Sequence, residues 1–309
     1  MTRVRRTAHA RLIAVFVALA LCVCFAATGC ARPAEPPVPG SSSSAAGTAN
    51  TPATATAGGS ATTMGSAAAT TYPAPATTAV VVYLVRNGSL GSSGKRKVLA
   101  SGPAMGAMVS LLLGPSATDS QAGLSTAIPA DTTLGNVKIA GGTATVDLSK
   151  QFAAATVPGA QRLRLAQVVY TLTQFHEIRG VAFTVAGTPL KSFGGISLAK
   201  PVTRADFNSQ LPAIFLGAPL PNQVVTSPLD LTGTANVFEA QFIAELWSPD
   251  GKKLASTKVH ATSGTGTRGD FDTKLTFSSK KHGNGTLKVF ALSAKDGSVI
   301  DLVAVPVKM

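Results

Sequence analysis

Four groups of residues in this 309-residue chain have types and spacing that could do chemistry. Gly264-Thr265-Gly266-Thr267-Arg268-Gly269 matches the glycine pattern that cradles a dinucleotide pyrophosphate. That loop works only between a strand and a helix N-terminus. Strand-like runs flank this one on both sides, so it reads as a turn. Ser92-Ser93-Gly94-Lys95 has the spacing of a serine nucleophile and a lysine base. It sits in a Gly/Ser loop rather than at a helix start, and no companion motif follows. His176, His260 and His282 are types that ligate zinc or transfer protons, yet they are far apart and lack ligand spacing or a partnered nucleophile. His176 reads instead as a favourable charge near a helix C-terminus. Asp270 and Asp272 share one strand face and could hold a cation, although a soluble strand edge is the plainer reading. No catalytic residue, metal site or cofactor is therefore expected, and the chain reads as a non-enzyme.

Cys30 owes its chemistry to its place in the chain. Arg3, Arg5, Arg6 and Arg11 precede a 16-residue apolar run from Leu12 to Ala27, and Ala27-Thr28-Gly29-Cys30 ends the region. A membrane-spanning helix needs about 20 residues, so the run suits a signal h-region better than a permanent anchor. The layout resembles the lipobox of bacterial lipoproteins, with Ala27 where Leu is commoner. The alternatives are ordinary secretion or an uncleaved anchor. The resemblance implies a signal peptide over 1–29, removed before Cys30, and a fatty acid such as palmitate on the Cys30 thiol. Acyl chains contribute about 0.8 kcal/mol per buried CH2, and two or more hold a protein stably on a membrane. The expected place is the extracytoplasmic face of the cell membrane. Cys22 and Cys24 would leave with the leader, so the mature chain has no internal disulfide.

The charge balance narrows the partners. Loss of the four leader arginines takes the formal charge from +13 to +9. A basic protein outside the membrane is drawn to anionic headgroups or wall polymers. Nucleic acid is not expected, because the basic residues are scattered (Lys95-Arg96-Lys97, Lys252-Lys253, Lys280-Lys281) with little aromatic interleaving. These clusters read as solvated surface.

The elements that must position these groups fall into two domains behind a linker. Residues 30–78, the lipidated cysteine and an Ala/Thr/Ser/Gly/Pro stretch charged only at Arg32 and Glu35, cannot bury a core and read as disordered. A flexible chain of that length reaches about 40 Å. Residues 79–198 read as strand, helix, two strands, helix, strand. A strand is expected from Ala79 to Val85. A helix follows Pro103, its buried face formed by Met105, Met108, Val109 and Leu112. A hairpin turns at Gly141-Gly142. A second helix is expected from Ala160 to His176, burying Leu165, Val168, Val169, Leu172 and Phe175. Gln161, Arg164, Gln167, Thr171 and Gln174 are expected away from that stripe. Residues 211–309 show short strand runs at 223–225, 229–233, 241–247, 254–260, 271–277, 287–292 and 299–307, the pattern of a β-sandwich with Trp247 packed inside.

These pieces resemble known modules. The residues 111–115 (Leu-Leu-Leu-Gly-Pro), 123–129 (Gly-Leu-Ser-Thr-Ala-Ile-Pro), 142–148 (Gly-Thr-Ala-Thr-Val-Asp-Leu) and 165–175 resemble the GerMN domain of bacterial sporulation and germination proteins. The residues 233–240 and the closing Val303-Ala304-Val305-Pro306-Val307 resemble the immunoglobulin-like domain that often follows it. The implied fold is a GerMN-like α+β domain, a small sheet with two helices, followed by an all-β immunoglobulin-like sandwich. Relatives of the second domain often carry a cysteine pair where this chain has Ser263 and Thr267, so that loop is expected to be less constrained. The composition also resembles surface lipoproteins of actinobacteria. The resemblance implies a membrane-anchored cell-envelope protein that acts through protein–protein interaction or assembly, with itself or with an envelope partner. The alternative reading is a binder of wall glycan or another anionic wall polymer.

Overall fold

The computed structural model describes residues 74–154 and 159–309. Cys30, the leader 1–29 and residues 30–73 of the linker lie outside the described residues. Among the described residues no helix is long and apolar enough to cross a membrane.

The expected strand over 79–85 is two strands. β1 (Thr77–Val80) starts inside the segment read as linker, and β2 (Tyr83–Arg86) follows. β2 turns through Asn87-Gly88, both at positive φ, into β3 (Ser89–Ser92), while β1 pairs with β4 (Arg96–Leu99). The chain switches partners between Val80 and Tyr83. Helix α1 (Pro103–Leu112) then packs on β4. Its buried residues are Ala104, Ala107, Met108 and Leu111, so Met105 and Val109 face solvent rather than the core. The helical spacing was read correctly but one residue out of register. Small side chains decide the buried face: a Cβ on Gly106 would meet the Val98 Cβ at 2.6 Å, so the alanine–glycine side alone lets β4 come close.

A short helix α2 (Ala117–Gln121) leads to β5 (Leu134–Ala140) and β6 (Thr143–Leu148), joined at Gly141-Gly142 as expected. β6 runs parallel to β7 (Gly180–Val185), and parallel neighbours need a crossover. Helix α3 (Ala160–Leu172) lies within it. The helix stops at Leu172, four residues before the expected end, and leaves His176 exposed beside Glu177. β8 (Thr188–Pro189) completes the order β5-β6-β7-β8, and β9 (Ser192–Phe193) pairs with β10 (Ile196–Ser197).

Helix α3 is the axis of this domain and is buried nearly all round. Leu165, Val168, Val169 and Leu172 enter the core as expected, but so do Arg164, Gln167 and Thr171. The expectation of a polar outer face fails for a specific reason: backbone groups of other segments come to this face without strand partners. Gln174 takes both sides of the Val81 peptide, accepting from its N–H at 2.9 Å and donating to its carbonyl at 2.7 Å. Thr171 Oγ1 accepts from Tyr83 N–H at 3.1 Å, and Gln167 Nε2 donates to Tyr83 O at 3.1 Å. Gln167 Oε1 also accepts from Ala127 N–H at 2.9 Å. Arg164 donates to the carbonyls of Ala127, Phe152 and Ala154.

The second domain is a sandwich of two antiparallel sheets. β11 (Ile214–Ala218), β12 (Leu229–Ala235) and β15 (Gly269–Leu275) form one in that order. β13 (Gln241–Trp247), β14 (Lys253–His260), β16 (Asn284–Leu292) and β17 (Val299–Lys308) form the other, ordered β14-β13-β16-β17. The strand expected at 223–225 is only a bridge from Val224 to Lys308, and the seventh strand is β11. Trp247 is not in the core. Phe242, Ala244 and Leu246 point inward, so the period of two puts Trp247 outside. There Lys288 Nζ sits 4.4 Å from its ring and Glu245 accepts its indole N–H.

The polar face of α3 is expected to stabilise the fold more than its charge suggests. A buried acceptor left unpaired costs about 1–3 kcal/mol. Arg164→Met strips at least three carbonyls of their donor, so denaturant unfolding should show a loss of about 3 kcal/mol or more. Lys138→Ala, on the exposed edge strand β5, should stay within about 0.5 kcal/mol.

Candidate functional site at the domain junction

The structure does not assemble the sequence candidates into one site. Gly264–Gly269 forms the turn between β14 and β15, as read. Its glycines serve close backbone packing: a Cβ on Gly264 would meet Val237 O at 2.5 Å, and one on Gly269 would meet Ser263 N at 2.1 Å. Gly266 N–H donates to Asn236 Oδ1 and Thr265 Oγ1 accepts from Glu239 N–H, so hydrogen bonds hold the loop that carries Ser263 and Thr267. Ser92, the serine of that spacing, is buried and its Oγ donates to Leu216 O at 3.5 Å, while Lys95 is exposed. Asp270 and Asp272 lie exposed on β15 opposite Thr234 and Thr232. His260 and His282 are exposed. Among the described residues no cluster of His, Cys, Asp or Glu could hold a metal ion.

What the fold does bring together is the junction of the domains. β11 belongs to both cores. Ile214 and Leu216 enter the sandwich core, while Phe215, on the opposite face, enters the core of the first domain. Its ring centroid lies 6.2 Å from Tyr83 and 6.4 Å from Tyr170. The connecting segment is pinned too. Arg204 lies over the Tyr170 ring at 4.7 Å, and donates to Thr173 Oγ1 and to Tyr170 O. Arg268 of the sandwich reaches Pro212 O at 2.7 Å. Burial pushes the Tyr170 phenol above its ordinary value, outweighing the pull of Arg204 and Arg268. A cavity of about 230 Å3 opens beside this contact, with Arg86, Ser92, Phe215, Pro219, Asp301 and Val303 among its walls.

Residues 72–191 match a family model described as sporulation and spore germination, the Germane family. Residues 213–298 match one described as the immunoglobulin-like domain of bacterial spore germination, Gmad2. Each match covers less than half of the chain and says what that segment is similar to. Solved structures are similar at low identity. The tandem GerMN domains of the sporulation protein GerM from Bacillus subtilis are 21% identical over 66% of this chain, with a TM-score of 0.37. The match spans 63% of that structure's own length. The first GerMN domain of the same protein is 26% identical over 42% of this chain and 99% of that one, with a TM-score of 0.34. No curated protein matches the chain. The fold is an α+β domain followed by an immunoglobulin-like sandwich, as the sequence resemblance implied, and both matched families are described by sporulation and spore germination.

The first domain presents an exposed apolar helix face. Met105, Val109 and Leu113 repeat every four residues along α1 and its C-cap, and are 37%, 46% and 79% exposed. That spacing puts them on one stripe. Helix α1 carries no charged residue. Its C-terminus is fastened from beneath by Arg96, read from the sequence as solvated surface. The guanidinium donates to Ser110 O at 2.6 Å and Gly114 O at 3.0 Å, carbonyls that helix ends leave open. It also pairs with Asp119 at 2.7 Å. Asp119 closes a capping box with Ser116 at the start of α2.

Burial alone would raise the Asp119 carboxyl. Hydrogen bonds from the Ser116 hydroxyl and N–H, and then Arg96, outweigh it and hold Asp119 below its ordinary value. A depressed carboxylate stabilises the fold above its unfolded pKa, about 3.9, and that contribution fades as pH falls through the lower folded value. Asp119→Asn should therefore cost about 1–3 kcal/mol near pH 7 in denaturant unfolding. The gap to the parent should narrow as pH drops below about 4.

Proposed function

We propose that this protein is a lipid-anchored lipoprotein on the extracytoplasmic face of the cell membrane, and that its Germane domain works by association with a second copy of the chain rather than by catalysis. The observation that carries the reading is the uncharged, exposed stripe of Met105, Val109 and Leu113. Contiguous apolar surface is uncommon on a protein that stays alone, and marks contact surfaces. With the leader removed the chain carries +9, so two copies repel over most of their surface. Helix α1 offers a meeting face free of that repulsion. The matched families are described by sporulation and germination, not by a reaction, which supports a role without turnover. Anchoring through Cys30 would hold copies in one plane and raise their effective concentration.

The same charge favours a second reading, a binder of anionic wall polymer. Sedimentation velocity of the full chain in detergent separates the two. Association should rise with protein concentration, and Val109→Lys should reduce it by tenfold or more. A chain monomeric at every concentration would end the self-association reading. Wall binding that weakens with salt and ignores Val109→Lys would favour the second.

The anchor has its own test. Intact-mass measurement on membrane-extracted protein should give a chain that starts at Cys30 with added fatty-acid mass. A mass without acyl groups would rule the tether out.

A further inference from the structure

Strand β5 is an open edge. It heads the order β5-β6-β7-β8, and among the described residues no strand pairs with its far side. Its turn into β6 fixes which backbone groups face that side. Gly141 and Gly142 form a two-residue hairpin loop at φ 56° and 81°, so Ala140 and Thr143 are the hydrogen-bonded pair that closes it. Alternation then bonds Lys138 and Asn136 to β6 and turns the N–H and C=O of Val137 and Ile139 outward. The Asn136 side chain agrees with that phase. Its Oδ1 accepts from Val137 N–H at 2.8 Å, where the carbonyl of a neighbouring strand would sit. Open edges pair with other strands unless charge, proline or brevity blocks them. β5 runs for seven residues with no proline, and Lys138 is its one charge. Ile139 is 42% exposed on it, and helix α1, which carries the apolar stripe, packs against the same strand. The opposite edge of the sheet differs: β8 is two residues long, and one of them is Pro189.

We propose that copies of this chain join edge to edge through β5, antiparallel and centred on Val137, as a closed twofold dimer with one continuous sheet. The proposal rests on the self-association reading and gives it a geometry. The strand itself selects a second copy as its occupant. Centring on Val137, the middle residue, sets Lys138 of each copy opposite Asn136 of the other. Centring on Lys138 would put lysine against lysine, which is destabilising. With a single charge, the strand lets basic chains approach each other. The twofold axis of an antiparallel pair stands normal to the sheet, so both α1 helices lie on one side of the joined sheet. The strand contact therefore continues the α1 face, because α1 packs on β5 in each copy. Pairing of β5 with β8 of a next copy would build a ring or a filament. The brevity of β8 and its proline oppose that arrangement.

Disulfide trapping of the full chain in detergent tests the register. Oxidation of an equal mixture of Asn136→Cys and Lys138→Cys chains should link positions 136 and 138 of different copies, about fivefold or more above either variant alone. Sedimentation velocity should show a dimer and no larger species. Asn136→Lys sets lysine against Lys138 on both sides of the axis; it should weaken the dimer about fivefold or more, and added salt should restore part of the loss. Ile139→Pro removes an outward N–H that the β5–β6 ladder does not use, and should weaken the dimer about tenfold or more. Asn136 is exposed beside Asp147, so Asn136→Lys keeps the test alive if Ile139→Pro does not fold. Association lost in Val109→Lys but unchanged in Asn136→Lys and Ile139→Pro would leave the α1 reading standing and overturn the strand pairing. Larger oligomers, or equal linking in the mixture and the single variants, would overturn it too. A chain monomeric at every concentration would end both readings.

Discussion

Backbone polar groups at positions 81 and 83 must be satisfied inside the protein, and a helix rather than a strand satisfies them. Thr171 and Gln174, with Gln167 one turn earlier, present donors and acceptors along one face of α3 and beyond its end, spaced as a neighbouring strand would space them. Arg164 performs the same service for the carbonyls of Ala127, Phe152 and Ala154. Burying these groups without partners would cost several kcal/mol in sum. Because the partners sit on α3, the helix cannot rotate or slide without breaking several bonds at once. The 80–86 segment, the 126–128 loop and the turn after β6 are all referenced to the same helix.

That rigidity reaches the second domain through aromatic packing. Tyr83 and Tyr170 are placed by β2 and α3, and Phe215 docks on both. Phe215 alternates with Ile214 and Leu216, so one strand contributes to two cores. The two domains therefore share a wall, and the cavity with Arg86 and Asp301 lies where that wall leaves a gap. The exposed stripe of α1 lies on the first domain alone.

Local pattern was informative wherever one segment settles its own fate. The hairpin at Gly141-Gly142, the strands 143–148 and 241–247 and the apolar stripe of α3 all follow from periodicity and turn chemistry. Pattern misled where two surfaces had to fit. The α1 face moved by one residue because Gly106 and the alanines beside it admit β4, and no periodicity reports the shape of a neighbour. Trp247 is expected inside the sandwich, yet the alternation set by Phe242, Ala244 and Leu246 puts it outside. The run Ile214-Phe215-Leu216 carried a readable signal, since three consecutive apolar residues suit a strand buried on both faces.

The chain's own letters determined the order of modules, the class of each and the family resemblance, because strand alternation, helical spacing and glycine turns are local and act before any long-range contact forms. They also carried the basic, lipobox-like opening from which the anchor at Cys30 is inferred. Only the tertiary structure decided that Arg164, Gln167 and Thr171 are interior, that Met105 and Val109 are exterior, and that Arg86 and Asp301, 215 positions apart, line one cavity. The physical reason is common to all three. Whether a polar group is buried or an apolar one exposed depends on which distant backbone or side chain arrives opposite it, and that partner is absent from the neighbouring sequence.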